Sequence, residues 1–180
     1  MRIQDFKSAL GAGGARPNQF QVTLAFPTRS SGEDKNILVT GASLPASTVN
    51  PAIIQYRGRE VKLAGERIFD PWTITIVNDS EMSLRQDFEA WMELMNNKET
   101  NMAPGALEPV TYQVDMTVEH LDRNDRTLPG AFYTLVDAFP INMSEIALQY
   151  AQNDIIEEYT VTFQYQHYTV GGSSSVAIAG

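Results

Sequence analysis

The sequence predicts a mainly β protein, an antiparallel β-sandwich or barrel with one flanking amphipathic α-helix. Three observations carry that reading. Short runs of alternating apolar and polar residues, about seven to nine of them, recur between turn signals along the 180 residues. Only the stretch after Ser83 repeats large apolar residues at helical spacing over several turns. No strand–helix–strand alternation occurs, which sets aside the parallel α/β classes.

Taken in order, residues 1–16 open with Ile3, Phe6 and Leu10 on one helical face and run into Gly11-Ala12-Gly13-Gly14-Ala15, which reads as a flexible arm. A phosphate loop would need a strand before the glycines and a Gly-Lys-Ser/Thr helix start after them, and neither is present. Residues 19–26 alternate Phe20, Val22, Leu24 and Phe26 against polar neighbours, a half-buried strand. A polar turn over 30–36 and a returning strand from Ile37 follow, broken at Leu44-Pro45 because proline donates nothing to a ladder.

Residues 57–78 are the stretch around which the rest is arranged. Residues 49–56 and 59–63 form the two arms of an expected hairpin about Arg57-Gly58. The second arm has few large apolar side chains, so it is expected to project and be completed by another subunit. A turn carrying Gly65, Asp70 and Pro71 is expected next, then a strand with Trp72, Ile74 and Ile76 on one face and Thr73, Thr75 and Val77 on the other.

Leu84, Phe88, Trp91, Met92 and Met95 then form one apolar helical stripe, most simply core packing over a sheet opening. Arg85, Gln86, Asp87, Glu89 and Glu93 are expected opposite it. Ser83 can cap this helix with Gln86 completing a capping box, and Asn96-Asn97 ends it. A loop at 101–108 leads to a long strand, 110–120, which places Met116, Val118 and His120 on one face and Asp115, Thr117 and Glu119 on the other. After a charged tip, 122–126, come a strand at 131–139, a turn at Asn153-Asp154 and a final strand over 156–170 with Tyr159, Val161, Phe163 and Tyr165 inward. Gly171 begins a serine-rich tail. The expected organisation is therefore an arm at 1–16, a domain at 17–170 and a flexible tail at 171–180.

Composition narrows the function. Hydrophobic residues at 43% and charged residues at 19% suit a folded core and argue against global disorder. With 13 Lys and Arg against 22 Asp and Glu the formal charge is −9, which opposes general nucleic-acid binding and favours repulsion of it. No apolar run reaches the ~18–20 residues of a membrane span, and residues 1–7 lack the core of a signal peptide, so no membrane anchoring is expected. There is no cysteine. His120 and His167 have no second ligand at metal spacing, so no metal or cofactor is expected. Glu157 and Glu158 are neighbours on a strand and point to opposite faces, so they cannot share a substrate. No nucleophile motif occurs, and an enzyme is not expected. Arg57, Arg59, Lys62 and Arg67 fall within eleven positions of this acidic chain, and such a concentration calls for an anionic neighbour.

Ala15-Arg16-Pro17-Asn18-Gln19-Phe20-Gln21-Val22, Leu44-Pro45-Ala46 and the run from Arg59 through Ala64-Gly65-Glu66-Arg67-Ile68-Phe69-Asp70-Pro71-Trp72 to Thr75 resemble the tail tube proteins of contractile-tailed bacteriophages. Asn78-Asp79 and Arg85-Gln86-Asp87-Phe88-Glu89-Ala90-Trp91 extend the resemblance, which covers roughly residues 15–170. It implies a β-barrel tail tube subunit of the virion, assembled in the host cytoplasm into stacked hexameric rings around a bore for DNA. The implied partners are other copies of the chain, the tail sheath, the tape measure protein, the baseplate tube initiator, and phage DNA passing without specific binding. On this reading Arg57, Arg59, Lys62, Arg67, Phe69 and Asp70 are candidate subunit-interface residues, the alternative for the basic ones being solvated surface. Asp115, Glu119, Glu158, Thr73 and Thr75 are candidate bore-lining residues, the alternative being that those faces look outward. A baseplate tube initiator or a bacterial injection-system (type VI-like) tube shares the implied fold and separates by copy number. A monomeric ligand-binding barrel separates by failing to self-associate.

Overall fold

The computed structural model describes residues 2–10, 14–27, 33–103, 108–150 and 155–171. The central glycines of the arm, parts of the expected turn at 30–36 and loop at 101–108, the Asn153-Asp154 turn and the tail beyond Gly171 lie outside the described residues. Nine strands and two α-helices are described: α1 (Ile3–Ala9), β1 (Phe20–Thr23), β2 (Val39–Ala42), β3 (Ser47–Tyr56), β4 (Arg59–Phe69), β5 (Trp72–Val77), α2 (Ser83–Met95), β6 (Val114–Leu121), β7 (Thr127–Met143), β8 (Glu158–Gln164) and β9 (His167–Gly171). Every pairing among them is antiparallel.

Seven strands form one sheet in the order β1-β6-β7-β8-β5-β2, with β9 also paired to β7. The 17-residue β7 holds it together. Its first half pairs with β6 and β9, and its last residues, after an irregularity between Pro140 and Asn142, pair with β8. The sheet curls until its end strands β1 and β2 come close without hydrogen bonding to each other. The expected barrel is therefore not closed, and both short end strands keep an unpaired edge.

Alternation decides what fills the curl. Trp72, Ile74 and Ile76 from β5, Tyr159, Val161 and Phe163 from β8, Met116 and Val118 from β6, and Leu135 from β7 are all buried in one core. Helix α2 covers its open side, with Phe88 and Trp91 meeting Phe163 at ring-centroid distances of 5.8 and 6.3 Å and Phe26 at 5.0 and 5.6 Å. The Trp91 indole donates to the Tyr112 carbonyl at 2.8 Å, so burial of its one polar atom carries no unpaired donor.

Local expectations were revised in several places. Asp79, not Ser83 with Gln86, caps α2: its carboxylate accepts from the Ser83 amide at 2.8 Å and from the Ser83 hydroxyl at 2.5 Å. Asp87 is buried rather than on the solvent face, because it stands three residues after Leu84 and four before Trp91, on the flank of the apolar stripe. The strand expected from Val110 begins at Val114, after a 3₁₀ turn at Pro109–Thr111, and Ile37 lies in another 3₁₀ segment, Glu33–Leu38. The single final strand is two, since the chain changes pairing partner after Gln164.

Candidate assembly interface

Strands β3 and β4 belong to no larger sheet. They form a separate two-stranded ribbon in which all but the root residues Ser47 and Phe69 are solvent-exposed. The tip is the two-residue loop Arg57-Gly58, with φ of 48° and 79°. Both values are positive, as a type I′ turn demands, and that turn matches the right-handed twist of the arms it joins. The hairpin expected about Arg57-Gly58 thus forms, but its second arm runs on to Phe69 instead of turning at Gly65. Gly65 sits where the register shifts between Val49 and Pro51, and a Cβ there would collide with the Asn50 carbonyl oxygen. A bulge with close backbone approach, not a turn, is what this glycine serves.

Register assigns the ribbon's faces, because residues directly opposite on paired strands share a side. Ala52 faces Leu63, Ile54 faces Val61, Tyr56 faces Arg59, and Thr48 faces Ile68. Continued alternation puts all of these on one side, where Ile54, Leu63 and Ile68 are each about half exposed. The other side pairs Ile53 with Lys62, Gln55 with Glu60 and Val49 with Arg67. Arg57 stacks over the Tyr56 ring, 5.5 Å from its centroid. Lys62 and Arg67 ion-pair with no other described residue. The six interface candidates therefore split: Arg59 lies on the apolar side, Lys62 and Arg67 on the opposite side, Arg57 at the tip, and Phe69 and Asp70 at the root.

The root is fixed to the body. The Phe69 ring packs against Tyr165 and Tyr168 at 6.1 and 5.5 Å, the Asp70 amide donates to the Ala46 carbonyl at 3.2 Å, and the Ser47 and Tyr168 hydroxyls lie 3.2 Å apart. Burial, then the neighbouring Tyr168 and the charge of Asp70, push the Tyr165 hydroxyl up to about 12. Burial likewise raises Tyr159, against which Arg85 stacks at 5.4 Å while pairing with Glu89 at 3.4 Å.

The bore-lining candidates all lie on the outward face of the curled sheet, in two groups. Asp115 and Glu119 stand on β6; Thr73, Thr75 and Glu158 stand on β5 and β8, with β7 between the groups. Asp115 accepts from the Asp137 amide at 3.1 Å, supporting a β7 residue at φ 55°, and Glu119 accepts from the Thr127 hydroxyl at 2.6 Å. The hydroxyls of Thr73 and Thr162 meet across the strands at 3.0 Å. His120 is half-buried and His167 exposed, and no cluster able to hold a metal ion occurs among the described residues. What the sequence reading missed is the apolar side of the ribbon. Its signal was the run from Val49 to Tyr56, which gains meaning only when folded back onto Val61 and Leu63.

Residues 15–171 match the family model described as phage tail tube protein. The chain belongs to the phage tail tube protein family. It is 27% identical over 169 residues to tail tube protein gp19 of Enterobacteria phage T4, covering 93% of this chain and 99% of that one. Against the tail tube protein of Serratia phage KSP90 it is 26% identical, covering 91% and 93%. A chain in the cryo-EM structure of the anti-feeding prophage baseplate shares the fold with a TM-score of 0.61 at 14% identity, covering 88% of this chain and 95% of that one. So does a chain in the sheath–tube complex of an extracellular contractile injection system in its extended state, with a TM-score of 0.53 at 14% identity, covering 91% and 97%. The mainly β, tail tube reading of the sequence therefore holds at the level of family and fold.

Proposed function

We propose that this chain polymerises as stacked hexameric rings into the hollow inner tube of a contractile phage tail, the conduit through which genome DNA leaves during sheath contraction. The observation that carries the proposal is the β3–β4 ribbon. A lone two-stranded ribbon is marginal in water, yet this one runs 10 and 11 residues and leaves Ile53, Ile54, Leu63 and Ile68 about half exposed. A neighbouring subunit that covers it supplies the missing burial, and a head-to-tail contact of this kind propagates into a filament.

Charge supports the same reading. The ribbon carries four of the chain's 13 basic residues and two of its 22 acidic ones, a net +2 within a chain of −9. Arg59, Lys62 and Arg67 are matched by acidic surface on the adjacent copy. The bore is lined by one of the two outward groups, Thr73, Thr75 and Glu158 or Asp115 and Glu119, whose lack of Lys and Arg limits phosphate drag on moving DNA. Sheath, tape measure protein and baseplate tube initiator are the expected partners in the tail.

Negative-stain imaging of the purified chain, with and without a nucleating baseplate, tests the assembly. Hollow tubes are expected; a population that stays monomeric with the template present contradicts the proposal. Charge reversal at Glu158 and at Asp115 then separates the two groups, since only the bore-lining one slows DNA ejection from phage with intact tubes. Unchanged ejection from both would remove the bore assignment.

A further inference from the structure

Among the described residues, helix α1 and a recess beside the end of β5 and the start of β8 are both left uncovered. No residue of α1 is buried, and Ile3, Phe6 and Leu10 are 74%, 61% and 44% exposed along one side. The recess holds about 1120 Å³ and is walled by Val77, Ile146, Leu148, Tyr150, Ile155 and Ile156. Tyr150 is wholly exposed and Leu148 78% exposed, so little of the described chain covers them.

We propose that α1 of one subunit docks its Ile3, Phe6 and Leu10 side into this recess on a second copy of the chain. This rests on the self-assembly reading above and names a contact separate from the ribbon. Charge complementarity selects the occupant. Residues 1–16 carry Arg2, Lys7 and Arg16 against Asp5 alone. The recess is flanked by Glu157 and Glu158, with Glu145 beside Ile146, and the chain has no Lys or Arg after Arg126. Arg85, which donates to the carbonyl of Ser144 just before Glu145 and Ile146, is already paired with Glu89. Reach permits the docking: the ten residues from Leu10 to Phe20 span up to ~35 Å, against a radius of gyration on the order of 15 Å for a domain of this size.

The chain has no cysteine, so introduced thiols report contacts without background. Tubes assembled from a mixture of Phe6→Cys and Leu148→Cys subunits are mildly oxidised and run on a denaturing gel. Covalent dimers are expected from the mixture and not from either variant alone. Ser8→Cys, on the opposite side of α1, is expected to give about tenfold fewer, as a side chain outside the buried contact would. Tubes without heterodimers overturn the docking while leaving the tube itself standing. A link formed within one chain of the Phe6→Cys/Leu148→Cys double variant as a monomer overturns it too, because the arm then fills its own recess. A wild-type chain that never forms tubes overturns the assembly reading first. As a check independent of thiols, Phe6→Asp and Leu148→Asp should each lower tube yield about tenfold with an unchanged melting temperature. Wild-type yield from both variants also overturns the proposal.

Discussion

The β3–β4 ribbon and the wall formed by β5, β8 and α2 use similar residues to opposite ends. In the wall, Trp72, Ile74, Ile76, Val161 and Phe163 alternate with threonines, and every large apolar side chain finds partners within the same chain. In the ribbon, the register of the pair puts Ile54, Val61, Leu63 and Ile68 on one side and Val49 and Ile53 on the other, and none is buried. The wall has a helix to cover it; among the described residues nothing covers the ribbon. Apolar content alone does not say whether a strand completes its own fold or another molecule's. What decides is whether any other element of the chain can reach it.

The sharpest contrast comes from truncating one residue in each region. Trp91→Ala removes an indole packed on Phe26 and Phe163 and orphans the Tyr112 carbonyl, and should cost ~3–5 kcal/mol in urea denaturation. That is a large part of the ~5–15 kcal/mol typical of a whole domain. Ile54→Asp should leave the monomer's unfolding midpoint unchanged and abolish tubes, scored by sedimentation and imaging. A monomer as destabilised by Ile54→Asp as by Trp91→Ala would show that the ribbon is folded into its own subunit after all.

The junction between the regions gives a pH test. Tyr165 has its hydroxyl raised from the usual 10 to about 12, so folding favours its neutral form. That contribution is complete below pH 10 and fades as pH rises towards 12, by on the order of 2 kcal/mol. Tyr165→Phe should flatten the loss of stability between pH 10 and 12 in a thermal-melt series. The smallest effect is electrostatic. Arg67→Glu should shift monomer stability by less than ~0.5 kcal/mol, as exposed charges do, yet reduce tube length and yield. Added salt should weaken wild-type assembly in the same direction.

Much of the body was legible. Period-2 alternation identified the inward residues of β5, β6 and β8, and period 3.6 identified α2 with its apolar stripe, because both patterns follow from backbone geometry alone. The hairpin tip at Arg57-Gly58 was also readable, since a glycine in a two-residue connection between strands points to positive φ there. Gly65 misled: a glycine beside charged residues reads as a turn, whereas its reason is the approach of the Asn50 carbonyl, a residue on the other strand. The α2 cap failed for a similar reason, since Asp79 reaches forward to Ser83 past Met82, whose left-handed conformation the spacing rules for capping boxes do not include. The candidate interface was half visible. Its basic residues stood out in an acidic chain, but that Arg67 shares a side with Lys62 and not with Arg59 depends on a bulge that shifts the register by one residue.

The sequence by itself determined which residues alternate, where the helix runs and how charge is distributed, because each of these depends on neighbours a few positions apart. Only the tertiary structure decided that the sheet stops short of closing, that β7 serves two sets of partners, and how the residues of the projecting ribbon divide between its two sides. Those outcomes depend on which distant strands compete for the same edges and on whether any element is left to cover an apolar face, and no local pattern encodes the result of that competition.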